Sequence, residues 1–139
     1  MRKYLFLGSA IFIAIAITRV AEAADPATFA GEYADKKFLS GQGVFQMSIE
    51  QKGTTATVWF STSYNDGRGC SPEAEGPGKV SGKGTLDFTF KDGEGDSGTG
   101  TISKSGDGIV VSIKPSHVAD ARCIVYYKQS IHLKRAAKK

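Results

Sequence analysis

Residues 44–60 read VFQMSIEQKGTTATVWF and hold two runs of alternating apolar and polar side chains around a short turn. A period of two residues is typical of half-buried β-strands, and Gly53 supplies the positive φ that a tight turn requires. The apolar members of the two runs are Phe45, Met47, Ile49, Ala56, Val58 and Phe60. The stretch therefore predicts an antiparallel hairpin with one buried face.

The same alternation recurs along the chain, with no helix-period segment after the N-terminal region. The further apolar faces are Phe29, Gly31 and Tyr33; Leu86, Phe88 and Phe90; Ile109, Val111 and Ile113; and Cys123, Val125, Tyr127, Gln129, Ile131 and Leu133, the last predicting the longest strand. With weaker segments near residues 79–83 and 99–104, the pattern predicts an all-β fold, an antiparallel meander of about eight strands. A meander of this size hides its edges by closing into a small barrel, and the large inward residues favour a filled interior.

The N-terminal region has the parts of a secretory signal. A positive start precedes an apolar run over residues 5–17, and Ala21-Glu22-Ala23 supplies the small residues that a signal peptidase accepts. The apolar run is shorter than the roughly 20 residues that span a bilayer. We therefore expect a signal peptide over residues 1–23, cleaved after Ala23 or Ala24, no membrane span, and a mature chain in the periplasm or outside the cell.

Charge limits the range of partners. The chain carries a net charge of +4 at pH 7, and removing residues 1–23 takes away three positive charges and one negative charge, which leaves +2. Much of this surplus lies in residues 134–139, KRAAKK. We expect these residues to form a basic C-terminal tail in solvent, after a barrel domain over residues 24–133. Lysines and arginines follow no groove with interleaved aromatics, so we expect no nucleic-acid partner.

The chain has two cysteines, Cys70 and Cys123. In an oxidising compartment a single disulfide between them is the economical interpretation. His117 and His132 raise the number of candidate metal ligands to four, but no two of the four have the short spacing of a chelating pair. We therefore predict one disulfide, no metal and no cofactor.

The stretch KDGEGDSGTG, over Lys91–Gly100, contains the G-x-G-x-x-G spacing of dinucleotide-binding loops at Gly93, Gly95 and Gly98. Such a loop requires a helix after it within a parallel βαβ unit, because the helix N-terminus holds the pyrophosphate. Here Ser97-Gly98-Thr99-Gly100-Thr101 stands where that helix would begin. The stretch therefore predicts a glycine-rich hairpin.

Asp92, Glu94 and Asp96 of the same stretch match the first three ligand positions of a calcium loop. Ser97 and Ser103 stand where that loop requires Gly and a bidentate Glu, which excludes an EF-hand. We expect the acidic residues to keep the hairpin tip in water, and a weak calcium site at the three carboxylates stays open.

The stretch STSYNDGRGCSPEAEGPG, over residues 61–78, is the strongest candidate for a binding site. It predicts a connection of about 16 residues, and loops of that length are usually functional or disordered. Cys70 would tether it to the strand that carries Cys123. The side chains that we expect it to display are Tyr64, Asn65, Asp66 and Arg68. Aromatic, amide and arginine side chains commonly anchor contacts with partners.

Two short segments carry a family resemblance. Gly31-Glu32-Tyr33 lies in the first predicted strand, and Arg135 follows the last one. In order and size the chain resembles the calycin barrels, in which lipocalins and avidins carry Gly-x-Trp and lipocalins place a basic residue over that aromatic. Tyr33 takes the place of the Trp here. The resemblance implies a barrel, and a carrier function with the ligand inside it.

The chain is also similar in size and organisation to small exported lysozyme inhibitors with one disulfide. Those inhibitors insert a short Ser-Gly-x-Tyr-like loop, whereas Ser97-Gly98 is followed here by Thr99-Gly100, without the Tyr. The similarity therefore implies an architecture and an inhibitor class, and not a particular inhibitory loop.

The sequence leads to two main functional hypotheses and predicts no enzymatic activity, since His117 and Asp120 lie in no recognised catalytic spacing. The first is an exported binding module or inhibitor that contacts a protein or a cell-envelope glycan through the Tyr64–Arg68 loop. The alternative is a small-molecule carrier with the ligand inside a calycin-like barrel. A structural role is a third option.

Overall fold

The computed structural model describes residues 27–136, which form a closed barrel of antiparallel strands in chain order. The strands are β1 (Gly31–Phe38), β2 (Gly43–Lys52), β3 (Thr55–Tyr64), β4 (Glu73–Val80), β5 (Leu86–Asp92), β6 (Ser97–Ser105), β7 (Gly108–His117) and β8 (Ile131–Arg135). A 3-10 helix, Ala121–Tyr126, lies between β7 and β8. The predicted eight-stranded all-β barrel is confirmed.

Two predicted segments lie outside the described residues in whole or in part. These are the signal peptide over residues 1–23 and the last residues, 137–139, of the basic tail. Over the residues that are described, no helix has the length and apolar character needed to cross a bilayer.

Aromatic rings pack against one another inside the barrel. The rings of Phe45 and Phe60 stack with centroids 5.5 Å apart, and Phe60 meets the edge of Phe90 at 5.2 Å. Phe90 in turn stacks on Tyr127 at 5.6 Å. These four side chains are buried, so a continuous row of rings runs across the interior from β2 to the segment that precedes β8. Close ring contacts of this kind stabilise a core beyond the burial of their surface.

Glycines of β6 make room for two of the large rings. Gly98 pairs with Phe90, and Gly100 pairs with Phe88, across the β5–β6 ladder. A Cβ atom on Gly98 would lie 2.9 Å from Cε1 of Phe90, and one on Gly100 would overlap Cζ of Phe88. The rings therefore lie directly against the glycine backbone. The Ser-Gly-Thr-Gly run is strand and not helix, and it pairs with β5, so the predicted hairpin is confirmed. A strand therefore occupies the place where a dinucleotide-binding loop requires a helix.

The barrel closes where β1 meets β8. Cζ of Arg135 lies 5.3 Å from the centroid of the Tyr33 ring, and its Nη2 donates a hydrogen bond to the Tyr33 hydroxyl at 3.2 Å. That hydroxyl donates to the backbone oxygen of Phe29 at 2.8 Å. Gly31 leaves space for the guanidinium, because a Cβ there would lie 2.9 Å from Nη1 of Arg135. A basic residue therefore covers the aromatic of the Gly-Glu-Tyr segment, as the calycin resemblance implies.

The end of the barrel differs from the boundary that the sequence predicts at residue 133. Lys134 pairs with Ala34 and Arg135 pairs with Tyr33, so both residues belong to β8 and not to a tail in solvent. Charge alone predicted a tail here. The pairing with β1, which cannot be read from local sequence, keeps these two basic residues in the sheet.

The predicted longest strand, from Cys123 to Leu133, is wrong in its first part. Ala121–Tyr126 form a 3-10 helix, in which the Cys123 amide donates to the Asp120 carbonyl at 2.9 Å. Tyr126 and Tyr127 are both buried. A strand would direct two consecutive side chains to opposite faces, whereas a helical turn followed by irregular backbone turns both rings into the barrel end.

The two ends of the barrel differ in the length of their connections. One end carries residues 39–42, 65–72, 93–96 and 118–130, and we call it the loop end. The other end carries the turns at residues 53–54, 81–85 and 106–107, and both of the long connections, 65–72 and 118–130, belong to the loop end. All four residues of the predicted binding loop and both cysteines therefore lie at or next to the loop end.

Gly100→Ala should destabilise the barrel, because the added methyl group overlaps the Phe88 ring and the packed core cannot move away freely. We expect a loss of about 1–3 kcal/mol in the free energy of unfolding, measured by urea denaturation. Gly82→Ala is the matched control, since a Cβ there meets nothing within 4 Å. Equal stabilities for the two variants would contradict the packing described for β6.

Candidate functional site

The predicted connection over residues 61–78 is shorter than expected. β3 continues to Tyr64 and β4 begins at Glu73, so residues 65–72 form the loop. The cause is a set of long-range pairs: Ser61 pairs with Glu73, Phe60 pairs with Ala74, and the Thr62 amide donates to the Pro72 carbonyl at 3.0 Å. The polar and glycine-rich composition predicted a loop, whereas pairing between the strands extends both of them.

The structure places the first two predicted site residues in anchoring positions. Tyr64 ends β3 and is half-buried, with its ring centroid 5.7 Å from that of Tyr126. The Asn65 amide donates to the Gln42 carbonyl at 2.8 Å, and its side-chain Nδ2 donates to the Gly41 carbonyl at 3.0 Å. These contacts join the loop to the neighbouring β1–β2 turn.

Asp66 and Arg68 face solvent and are paired with each other. The Asp66 carboxylate accepts the Arg68 amide at 3.0 Å and also bridges to Nε of the same arginine. The backbone hydrogen bond from Arg68, and then its side chain, hold the pKa of Asp66 below its ordinary value. The Arg68 side chain is 80% exposed, so it remains available to a partner.

The disulfide joins this loop to the 3-10 helix. Cys70 and Cys123 are bonded with their Cα atoms 5.4 Å apart, which confirms the predicted pairing. The Tyr126 hydroxyl donates to the Cys70 carbonyl at 2.7 Å, so a hydrogen bond supports the covalent link. Because Cys123 and Tyr126 are buried while Arg122 and Ile124 are exposed, the helix is fixed on one side and displayed on the other.

Asp120 and Arg122 repeat the arrangement of Asp66 and Arg68 on the other side of the disulfide. The Asp120 carboxylate accepts the Arg122 amide at 3.0 Å and Nη2 at 2.7 Å. These bonds lower the pKa of Asp120 and raise that of Arg122. The Arg122 side chain is 72% exposed. This pair was not among the predicted site residues, although DGRGC and DARC place an Asp-x-Arg segment before each cysteine.

Ile124 is the other residue that the sequence analysis missed. It lies in the 3-10 helix, next to Cys123, and is 60% exposed. In the predicted strand Ile124 lies on the face opposite the buried residues. A single apolar side chain on an exposed face is common and does not indicate a binding site. In the structure it lies on the same helix as Arg122. We call Arg68, Arg122 and Ile124 the rim surface.

The acidic residues of the β5–β6 hairpin were expected to stay in water, and for Asp96 this expectation is wrong. It is 1% exposed, and its carboxylate accepts the Ala119 amide at 2.8 Å and the Tyr127 hydroxyl. Asp96 therefore connects the hairpin to the segment around the 3-10 helix. Burial of the phenol, and then its hydrogen bond to Asp96, raises the pKa of Tyr127 above its ordinary value.

The three carboxylates of the open calcium hypothesis do not face one point. Asp92 Oδ1 accepts the amides of Glu94 and Asp96, at 3.0 and 2.6 Å, while Glu94 is exposed and Asp96 is directed inward. Within residues 27–136, no group of three His, Cys, Asp or Glu side chains is arranged to hold a metal ion. His117, at the end of β7, is exposed.

Comparison with known proteins gives no match. No family model fits the chain, and neither a curated protein nor a solved structure shows significant similarity to it.

The buried Tyr127 hydroxyl predicts a loss of stability at alkaline pH. Its pKa in the folded state lies above the ordinary value of about 10. Above that pH the unfolded chain therefore releases this proton first. The contribution of the Tyr127 hydroxyl to the free energy of unfolding is complete below about pH 10. Above that pH it decreases by about 1.4 kcal/mol per pH unit. Tyr127→Phe lacks this hydroxyl, so its free energy of unfolding should fall less steeply with pH than that of the wild type, by up to that slope. Urea denaturation at about pH 10 to 11 measures the difference.

Tyr64→Phe is the matched control, because its ring packs at the same end of the barrel without a bond to Asp96. At neutral pH Tyr127→Phe should also cost about 1.5–3 kcal/mol, because it removes a hydrogen bond to a buried carboxylate. An unchanged alkaline slope in Tyr127→Phe would contradict the role given to this hydroxyl.

Proposed function

We propose that this protein is an exported binding module or inhibitor that uses its loop end to contact a protein or a cell-envelope glycan, without a catalytic step. The observation that carries the proposal is the disulfide between Cys70 and Cys123, which joins two exposed segments into one surface. Arg68, Arg122 and Ile124 project from that surface. The Tyr64–Arg68 loop remains the centre of the proposed site, and the 3-10 helix extends it.

Rigidity of this surface supports a binding role. Asn65 is bonded to the β1–β2 turn, and each arginine is held by an aspartate two residues before it. Side chains and loops that are ordered before association lose less entropy on binding. Arginine is also enriched among the residues that dominate interface energies, and an exposed aliphatic side chain beside it adds apolar contact.

Export is a further part of the proposal. A structural disulfide persists in oxidising compartments, and the N-terminal residues have the pattern of a cleaved signal. The proposed location is the periplasm or the extracellular space. A cell envelope offers both of the proposed partner classes, proteins and glycans, to such a module.

The carrier hypothesis receives less support. A carrier needs an internal space of a few hundred Å³ for a small ligand. In the part of the chain that is described, Phe45, Phe60 and Phe90 pack against one another across the interior. A ligand inside the barrel would have to displace this row of rings, so we retain the surface binding role.

Arg68→Ala combined with Arg122→Ala should abolish most of the binding, because two exposed guanidinium groups are removed while the barrel core is untouched. The test captures partners from an envelope extract on the immobilised oxidised protein, and then measures the affinity of the purified partner for each variant. We expect a loss of at least about tenfold, or about 1.4 kcal/mol, for the double variant and a smaller loss for Ile124→Ser.

Lys79→Ala combined with Lys83→Ala is the matched control, since it removes two positive charges at the opposite end of the barrel. Treating the extract with a protease or with glycan-cleaving enzymes separates the two partner classes. Equal affinities for the wild type, the rim variants and the control would reject the loop end as the site.

A further inference from the structure

The seam between β1 and β8 is closed over only part of its length. The two strands share the pairs Tyr33–Arg135 and Ala34–Lys134, and the ladder then stops. The Ala136 amide donates to the Glu32 carbonyl at 2.8 Å, so positions 32 and 136 are hydrogen-bonded. Hydrogen-bonded pairs alternate along an antiparallel ladder, so Ala34–Lys134 is the next bonded pair and Lys36–His132 would be the one after it. The ladder between β1 and β8 ends before that pair.

A bulge in β1 opens the seam. The register between β1 and β2 shifts between Asp35 and Phe38. Asp35 Oδ1 accepts the Lys37 amide at 2.9 Å, so this amide is bonded locally and not to another strand. The chain then turns, with the Gly41 amide donating to the Lys37 carbonyl at 2.9 Å. Bulges of this kind re-aim side chains and end pairing.

A groove of about 780 Å³ follows the open seam. β1 lines one side with Asp35, Lys36 and Lys37, and β8 lines the other with His132, Lys134 and Arg135. Gly108 and Ile109 of β7 also border the groove, and a Cβ on Gly108 would overlap the Leu133 carbonyl oxygen. The volume lies in the range of small-molecule sites.

The charge of this groove is positive. Lys36, Lys37, Lys134 and Arg135 contribute four positive charges, and Asp35 and Asp107 contribute two negative ones. Over the described residues the ion pairs are Arg68–Asp66 and Arg122–Asp120, so the three lysines have no carboxylate partner among them. The surplus of two positive charges matches the charge of a phosphate monoester near neutral pH.

We propose that the seam groove is a second binding site, which takes a ligand carrying a phosphate monoester. Lys36, Lys37 and Lys134, which line both sides of the groove, contact the phosphate as point charges. The groove is larger than a phosphate group, so the glycerol or sugar body of the ligand lies along β8. This site is on the barrel wall and is independent of the rim surface.

The experiment titrates the purified, oxidised protein with glycerol 3-phosphate and follows backbone amide resonances by NMR. Saturable shifts are expected at Lys36, Lys37 and His132, with the rim surface unchanged. Lys36→Gln combined with Lys134→Gln should weaken binding by about tenfold. Both side chains are exposed, so the fold should be retained, and a spectrum unchanged away from the groove verifies this.

Lys79→Gln combined with Lys83→Gln removes the same charge elsewhere and should bind like the wild type. Vesicles of phosphatidylcholine with and without phosphatidic acid form the second arm, because phosphatidic acid presents the same phosphate on a lipid. Binding to glycerol 3-phosphate alone identifies a free ligand, and binding to the phosphatidic acid vesicles alone identifies a lipid headgroup. Shifts that do not saturate in either arm, or an equal loss in both lysine variants, would overturn the site.

Discussion

The disulfide between Cys70 and Cys123 is the constraint on which the loop end depends. It crosses from the β3–β4 loop to the 3-10 helix, and no strand ladder connects these two segments. Hydrogen bonds from Tyr126 to the loop, and from Tyr127 and Ala119 to Asp96, complete the attachment of the helix to the barrel. The barrel wall is held by its ladders and aromatic core, whereas the exposed surface at its end is held by this link. Different interactions therefore stabilise the barrel and the surface that we propose for binding.

Alternation predicted the barrel well because each strand buries one face. Phe45, Met47 and Ile49 are buried as the pattern requires, and so are Phe88 and Phe90. The pattern failed at residues 121–127, where burial of two neighbouring tyrosines replaces alternation. It also left residues 61–64 and 73–78 in a loop, because these residues join strands through pairing with distant partners and not through local preference.

The candidate site could be predicted in part. Cysteine count and compartment predicted the disulfide, and composition located the loop with Asp66 and Arg68. The anchoring roles of Tyr64 and Asn65 depend on Tyr126 and the β1–β2 turn, whose positions follow only from the barrel. Ile124 was missed because its segment was taken as strand, and Arg122 because it lies in the polar segment just before that predicted strand. The burial of Asp96 was missed because its partners, Tyr127 and Ala119, are distant in sequence.

Residue-resolved hydrogen exchange, measured before and after reduction of the disulfide, tests the central claim most directly. The account predicts that the amides of Asn65, Gly67, Cys123 and Tyr127, each hydrogen-bonded at the loop end, lose far more protection than the amides of β2 and β3. A loss of equal size at every protected amide would contradict it. The disulfide would then act only on the unfolded chain, and the loop end would need no covalent link to hold its shape.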